Sequence, residues 1–107
     1  MSRNPRLAGL KPTHPGEILR EITFPALGRP LAEIARHLGV SRRQLYEITG
    51  ERRPVTPQMA LRLAKLLGTS AELWLNMQAS HDLRIAGKEL AKTIAAIPTL
   101  RARKRAA

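Results

Sequence analysis

The sequence contains no cysteine. That excludes a disulfide framework, a zinc site built on thiolates and thiol catalysis, and it suits a reducing compartment. Aromatic residues are nearly absent too, Phe24, Tyr46 and Trp74 being the whole set. Proteins that read single-stranded nucleic acid by stacking bases use more rings than this, so that mode of recognition is not expected. No run approaches the roughly 20 apolar residues of a membrane-spanning helix. The stretch from Met1 to Lys11 lacks the apolar core of a secretory signal, so a soluble, cytoplasmic protein is expected. Acids are scarce: 8 stand against 19 Lys and Arg, giving a net charge of +11.

Arginine supplies 14 of those 19 cations. Its planar fork suits phosphates and guanine edges, so the excess reads as a nucleic-acid footprint. An enzyme is not expected. His14, His37 and His81 do not stand at metal-ligand spacing, no glycine-rich phosphate loop is present, and no nucleophile neighbours a base. Each histidine reads as a cap, a surface residue or a packed ring, and no cofactor is implied.

The length of 107 residues fits one domain with flexible ends. Short helices with readable starts and stops follow one another. His14-Pro15-Gly16-Glu17 is a helix start, with Pro15 at the first helical position and an acid in the first turn. This helix carries Ile18, Leu19 and Ile22, is disturbed near Pro25 and ends at Gly28. A second helix runs from Leu31 to Leu38 and is closed by Gly39. Ser41 begins a third, with Gln44 completing a capping-box pattern, and Gly50 and Pro54 bound it. Thr56-Pro57 opens a fourth, with Met59, Ala60, Leu63, Leu66 and Leu67 at helical spacing up to Gly68. Ser70 caps a fifth that runs to about Ile85. Lys88 to Ile97 is weakly helical, Pro98 stops it, and Arg101, Arg103, Lys104 and Arg105 form a basic tail. The domain plan is therefore a flexible arm over 1–12, a DNA-binding domain over 13–86, and an extension with its tail over 87–107.

Leu31 to Ile48 carries the functional signal. Ile34, Ala35 and Leu38 share one face of the second helix, and Leu45 and Ile48 one face of the third. Ala35 is small where the helices cross, Gly39 stands where the turn needs positive φ, and Val40 plugs the corner. Together these offsets describe a helix-turn-helix. With Leu45 and Ile48 inward, Arg42, Arg43, Tyr46 and Glu47 face outward, and the start of this helix is the part that enters the major groove. Arg42 and Arg43 suit guanine O6 and N7; Glu47 either accepts from a cytosine amine or orients an arginine. Ser41 is a cap whose neighbouring N–H groups also suit a phosphate. Gln44 divides between helix start and DNA contact, and Tyr46 between sugar-phosphate stacking and covering the core edge. Arg52 and Arg53 on the following loop read as phosphate clamps.

These residues and their flanks resemble the HigA/VapI antitoxin branch of the XRE (Cro/CI-like) helix-turn-helix family. The resemblance rests on His14-Pro15-Gly16-Glu17-Ile18-Leu19, on Leu38-Gly39-Val40-Ser41-Arg42-Arg43, on Arg53 to Ala64, on Leu67-Gly68-Thr69-Ser70 and on Leu73-Trp74-Leu75-Asn76-Met77-Gln78-Ala79, and it covers about residues 14 to 83. It implies an all-α, five-helix, lambda-repressor-like domain that dimerises and represses its own operon at a palindromic operator. It also implies a partner, a HigB-type toxin of the RelE fold that cleaves mRNA. The chain departs from the family pattern at Pro30-Leu31, where a polar pair is usual, at Gly50-Glu51-Arg52, where the turn chemistry changes, and at Pro25, one position early. A basic toxin needs a local acidic patch, and Glu17, Glu21 and Glu33 are the densest acids. The fifth helix carries more apolar residues than one face hides: Leu73, Trp74, Met77 and Leu83 are expected at a dimer interface, with Trp74 divided between interface and core. Asn76 and Gln78 bond either across that interface or to a helix end. A stand-alone regulator without a toxin, and a structural nucleoid-type binder, are the rival readings.

Overall fold

The computed structural model describes residues 13–103, which are helical and irregular with no strand among them. The arm expected over 1–12, and Lys104 and Arg105 of the basic tail, lie outside the described residues. The first helical segment joins α1 (Pro15–Ile18), one wide π turn (Leu19–Thr23) and α2 (Phe24–Leu27) end to end. His14 starts it by accepting the Gly16 N–H on Nδ1 at 2.9 Å, and Pro15 follows where no backbone donor is needed. The disturbance expected near Pro25 appears one turn earlier. Pro25 has no N–H and its ring presses on the carbonyl four residues back. The chain widens ahead of it, so that the Phe24 N–H reaches the Leu19 carbonyl, five residues back.

The next two helices keep their expected bounds as α3 (Leu31–Leu38) and α4 (Arg42–Thr49). Gly39 joins them in the left-handed region at φ 74°, a conformation that would cost another residue about 1 kcal/mol or more. Ser41 Oγ then accepts the Gln44 N–H at 3.0 Å and starts α4. Thr56 does the same for α5 (Pro57–Leu67) through the Met59 N–H, and Ser70 for α6 (Ala71–Glu89) through the Leu73 N–H. The last of these was expected to stop near Ile85. It runs on to Glu89 because Ala86, Lys88 and Glu89 favour helix and Gly87 alone costs only about 1 kcal/mol. A break at Leu90 separates it from the short α7 (Ala91–Ala95).

One apolar core holds the helices together. Ile34, Ala35 and Leu38 of α3 meet Leu45 and Ile48 of α4 there, with Leu19, Phe24, Met59, Leu63 and Trp74 around them. Burying each large side chain contributes roughly 1.5–3 kcal/mol, so the pair of helices is fixed as a unit by its neighbours rather than by its own length. Val40 packs on this core from the turn. Gly16 brings α1 against the end of α4 so closely that a Cβ there would lie 1.9 Å from the Ile48 carbonyl oxygen.

A small polar cluster closes the side where α1 and α6 meet. The His14 and His81 rings stand edge to face, with centroids 5.0 Å apart. Beside them Gln78 accepts the Val55 N–H at 2.8 Å and donates to Asp82 at 3.0 Å, so this glutamine serves the interior rather than a partner. Burial, then the neighbouring His81, lower the pKa of His14, while Glu51 and Asp82 partly offset them. A proton on His14 Nδ1 would face the Gly16 N–H donor. The folded state therefore binds fewer protons than the unfolded chain once pH falls below about 6.5, and stability declines with acidification in that window. Urea unfolding should show a lower midpoint at pH 5.5 than at pH 7.5. His14→Asn, which keeps an acceptor cap, should flatten that difference; equal midpoints in the unaltered chain would contradict it.

Candidate nucleic-acid interface

Helix α4 owes its position to contacts at both ends. At its start Ser41 occupies the cap. At its finish Arg20, from the π turn, donates to the Thr49 carbonyl at 2.6 Å and to the Glu51 carboxylate at 3.3 Å. Arg62 of α5 does the same for α3, donating to the Leu38 carbonyl at 2.7 Å. Cations at helix C-termini satisfy orphan carbonyls and oppose the helix dipole. Part of the arginine excess is therefore spent on holding the two helices. Glu51 carries the left-handed turn after α4, at φ 62°, a conformation that Asn or Gly takes more readily. Its ion pair with Arg20 ties this turn to the first helical segment.

The outer face of α4 is what remains. Arg42, Arg43 and Tyr46 are exposed, and with Glu47 and Arg52 they line an open cleft of about 600 Å³. The Arg43 side chain is 88% exposed and reaches no closer than 3.7 Å to Glu47. Glu47 itself is engaged: one carboxylate oxygen accepts from Arg53 Nε at 3.0 Å and from Nη2 at 2.7 Å. The Arg53 hydrogen bonds hold its carboxyl below the usual carboxylate range, with Arg43 and Arg52 adding to the effect. Three arginines, Arg43, Arg52 and Arg53, thus act on one carboxylate, and Arg42 lies along the same cleft. The cleft is cationic, and the one acid among the described residues that line it is already committed to a neighbouring guanidinium.

A family model described as helix-turn-helix matches residues 19–74. The chain belongs to the XRE-type helix-turn-helix family. Among its relatives is virulence-associated protein I of Dichelobacter nodosus, 42% identical over 76 residues, a match covering 71% of this chain and 70% of that protein. Among solved structures, antitoxin GraA in complex with its operator has a TM-score of 0.79 at 40% identity, covering 95% of this chain and 100% of that one. The Pseudomonas aeruginosa antitoxin HigA with higBA promoter has a TM-score of 0.78 at 36% identity, covering 84% and 99%. The all-helical architecture expected from the sequence is the architecture of these antitoxins.

Against this family background the expected site residues fall into three groups. Arg42, Arg43, Tyr46, Arg52 and Arg53 are exposed around α4, with Ser41 as its cap and Gln44 half-buried behind it. On α6, Leu73 and Leu83 are exposed and Met77 is half-buried, but Trp74 is only 2% exposed. Its ring packs in the core and its Nε1 donates to Thr69 Oγ1 at 2.8 Å. Of the two roles left open for Trp74, burial favours the core over the interface. Two of the three acids are already engaged, Glu21 with Arg20 and Glu33 with Arg29, with His37 Nε2 3.6 Å from Glu33, and Glu17 is half-buried. Sequence reasoning missed Arg20, Arg62 and the close approach at Gly16, because their partners lie 29, 24 and 32 residues away. No local pattern marks such pairs. Among the described residues no group of three metal-ligating side chains stands together, and no helix is long and apolar enough to cross a membrane.

Proposed function

We propose that this protein is a sequence-specific, DNA-binding repressor that works in the cytoplasm as a homodimer and serves as the antitoxin of a HigBA-type pair. The observation that carries the DNA-binding half is the arginine face of α4, presented on a fold that GraA and HigA carry in structures with operator or promoter DNA. Arg42 and Arg43, at the start of the helix, meet base edges. Glu47 does not read a base; it steers Arg53, and more loosely Arg43, toward the duplex. Arg52 and Arg53 meet phosphates, with Tyr46 and the α4 start around Ser41 and Gln44 against the sugar-phosphate backbone. Leu73, Met77 and Leu83 of α6 join two copies. A two-fold dimer places its recognition helices one helical turn apart, so a palindrome with half-sites about 10 bp apart should be protected in a footprint of the chain's own promoter. A single unrepeated footprint would sink the dimeric reading.

The antitoxin half rests on the kinship with HigA and GraA. It assigns a small RelE-fold ribonuclease toxin as partner. Coexpression with the product of the adjoining reading frame should restore growth of a toxin-arrested host and yield a stable complex. Growth arrest despite coexpression would remove the toxin and leave a stand-alone regulator. The pairing of Glu21 and Glu33 with arginines of the same chain favours that second reading, since it leaves little acidic surface for a basic toxin.

A further inference from the structure

Four helix ends among the described residues turn through the left-handed region. Gly28, Gly39 and Gly68 take three of these turns, at φ 64°, 74° and 71°. The fourth follows α4 and falls on Glu51, at φ 62°. There the Glu51 N–H donates to the Ile48 carbonyl at 3.0 Å and the Arg52 N–H to the Glu47 carbonyl at 2.8 Å. Glycine is the usual left-handed residue in such a paired closure, because a side chain makes the conformation costly. What Glu51 brings instead is a carboxylate, 3.3 Å from Arg20 Nη1. Both side chains are half-exposed, and an ion pair that open returns less stability than the backbone conformation costs. Folding alone does not account for a glutamate here.

We infer that Glu51 and Arg20 are positioning residues for DNA binding: their ion pair, at a cost in folding stability, holds the turn from which Arg52 and Arg53 reach the duplex. This rests on the DNA-binding reading and adds to it two residues that act through others. Three acceptors hold the Arg20 fork. Its Nε donates to Glu21 at 3.0 Å, and its Nη1 to the Thr49 carbonyl at 2.6 Å and the Glu51 carboxylate at 3.3 Å. The first helical segment, the end of α4 and the turn are thereby joined at one guanidinium. Arg52 follows directly, and its guanidinium lies back over Gly50, where a Cβ would stand 3.2 Å from Nη1. Arg53 comes next and is tied to Glu47. A turn that moves carries both arginines with it, and each phosphate contact must then order the loop before it forms. Strained backbone, held by its surroundings at a binding surface, removes that cost in advance.

Glu51→Ala, Arg20→Gln and the double variant, titrated at pH 8 against a promoter duplex and a scrambled one, separate positioning from charge. At that pH His14, which lies in the field of Glu51, is neutral in every chain. Positioning predicts that each single variant binds about ten-fold more weakly and the double variant no more weakly than either, since each removes the same brace. Charge alone predicts opposite signs, Glu51→Ala binding more tightly and Arg20→Gln more weakly, with the double variant close to the parent. That result would overturn the inference. Glu51→Gly adds a readout of stability: it should melt no lower than the parent while losing the same ten-fold in affinity. A lower melting midpoint, or an affinity equal to the parent's, would overturn it too. The loop meets phosphates, so both duplexes should weaken in step. A parent that binds the two duplexes equally would therefore remove the reading of sequence by α4, while the ten-fold losses would still uphold the brace. A parent that binds neither would overturn both.

Discussion

Gly16→Ala is expected to cost about 3 kcal/mol or more of folding stability, at the upper end of what overpacking does in a filled core. The added Cβ would fall 1.9 Å from the Ile48 carbonyl oxygen and 3.0 Å from His14 Nδ1. The first of these is backbone near the end of α4, and no change of rotamer moves it aside. Helix α1 must lift, and the His14 cap and the edge-to-face contact with His81 lift with it. For a domain of this size each kcal/mol lowers the melting temperature by about 4–8 °C, so a fall of roughly 12–24 °C should appear in a circular-dichroism melt. Gly87→Ala is the matched control: it lies inside α6 with nothing within 4 Å of the new methyl group, and it should stabilise by about 0.5–1 kcal/mol. If Gly16→Ala melts within a degree or two of the parent, the close approach of α1 to α4 is not as described.

Alanine at Arg42 or Arg43 is expected to have the largest effect on DNA binding. A good base contact discriminates by about 1–3 kcal/mol, and a symmetric dimer loses two, so operator affinity should fall by roughly 2–6 kcal/mol while a scrambled duplex loses much less. Arg52→Ala should behave differently. It should weaken both duplexes alike and reduce the salt slope by about 1.8, since each phosphate contact contributes about 0.9 and the proposed dimer would have two. Glu47 divides its two possible roles most sharply. Its carboxylate holds Arg53, so Glu47→Ala should tighten binding to scrambled DNA and narrow the preference for the operator. Were Glu47 instead reading a cytosine, operator affinity would fall and scrambled binding would stay unchanged. Fluorescence anisotropy titrations of both duplexes at several salt concentrations measure all of these together.

The recognition unit was legible because its determinants are local. Gly39, Val40 and Ser41 mark the turn within three residues, and the inward positions from Ile34 to Ile48 follow helical spacing within fifteen. Those signals fixed both helices to their observed bounds, and with them the exposed face of Arg42, Arg43 and Tyr46. Trp74 was harder to place because its burial depends on α1, α5 and α6 closing around it and on Thr69 reaching its ring nitrogen. Composition counted all 14 arginines as one footprint, whereas Arg20 and Arg62 tie helix ends and Arg53 braces Glu47. Ion pairs across the fold have no spacing rule, so the sequence could state the charge without saying which cations face outward. The π turn shows the same limit. Pro25 announced a defect, but where the backbone absorbs it depends on keeping Leu19 and Phe24 in the core.

A helix α4 that reads sequence and one that merely attracts phosphate differ in a single ratio of affinities. Titrating the unaltered protein, at about 150 mM salt, against a duplex from its own promoter and a scrambled duplex of equal composition measures it. A preference of at least about a thousand-fold for the promoter duplex, held by two half-sites one turn apart, is expected. Equal dissociation constants on the two duplexes, with the same salt slope, would contradict it and leave only a cationic protein that binds any DNA.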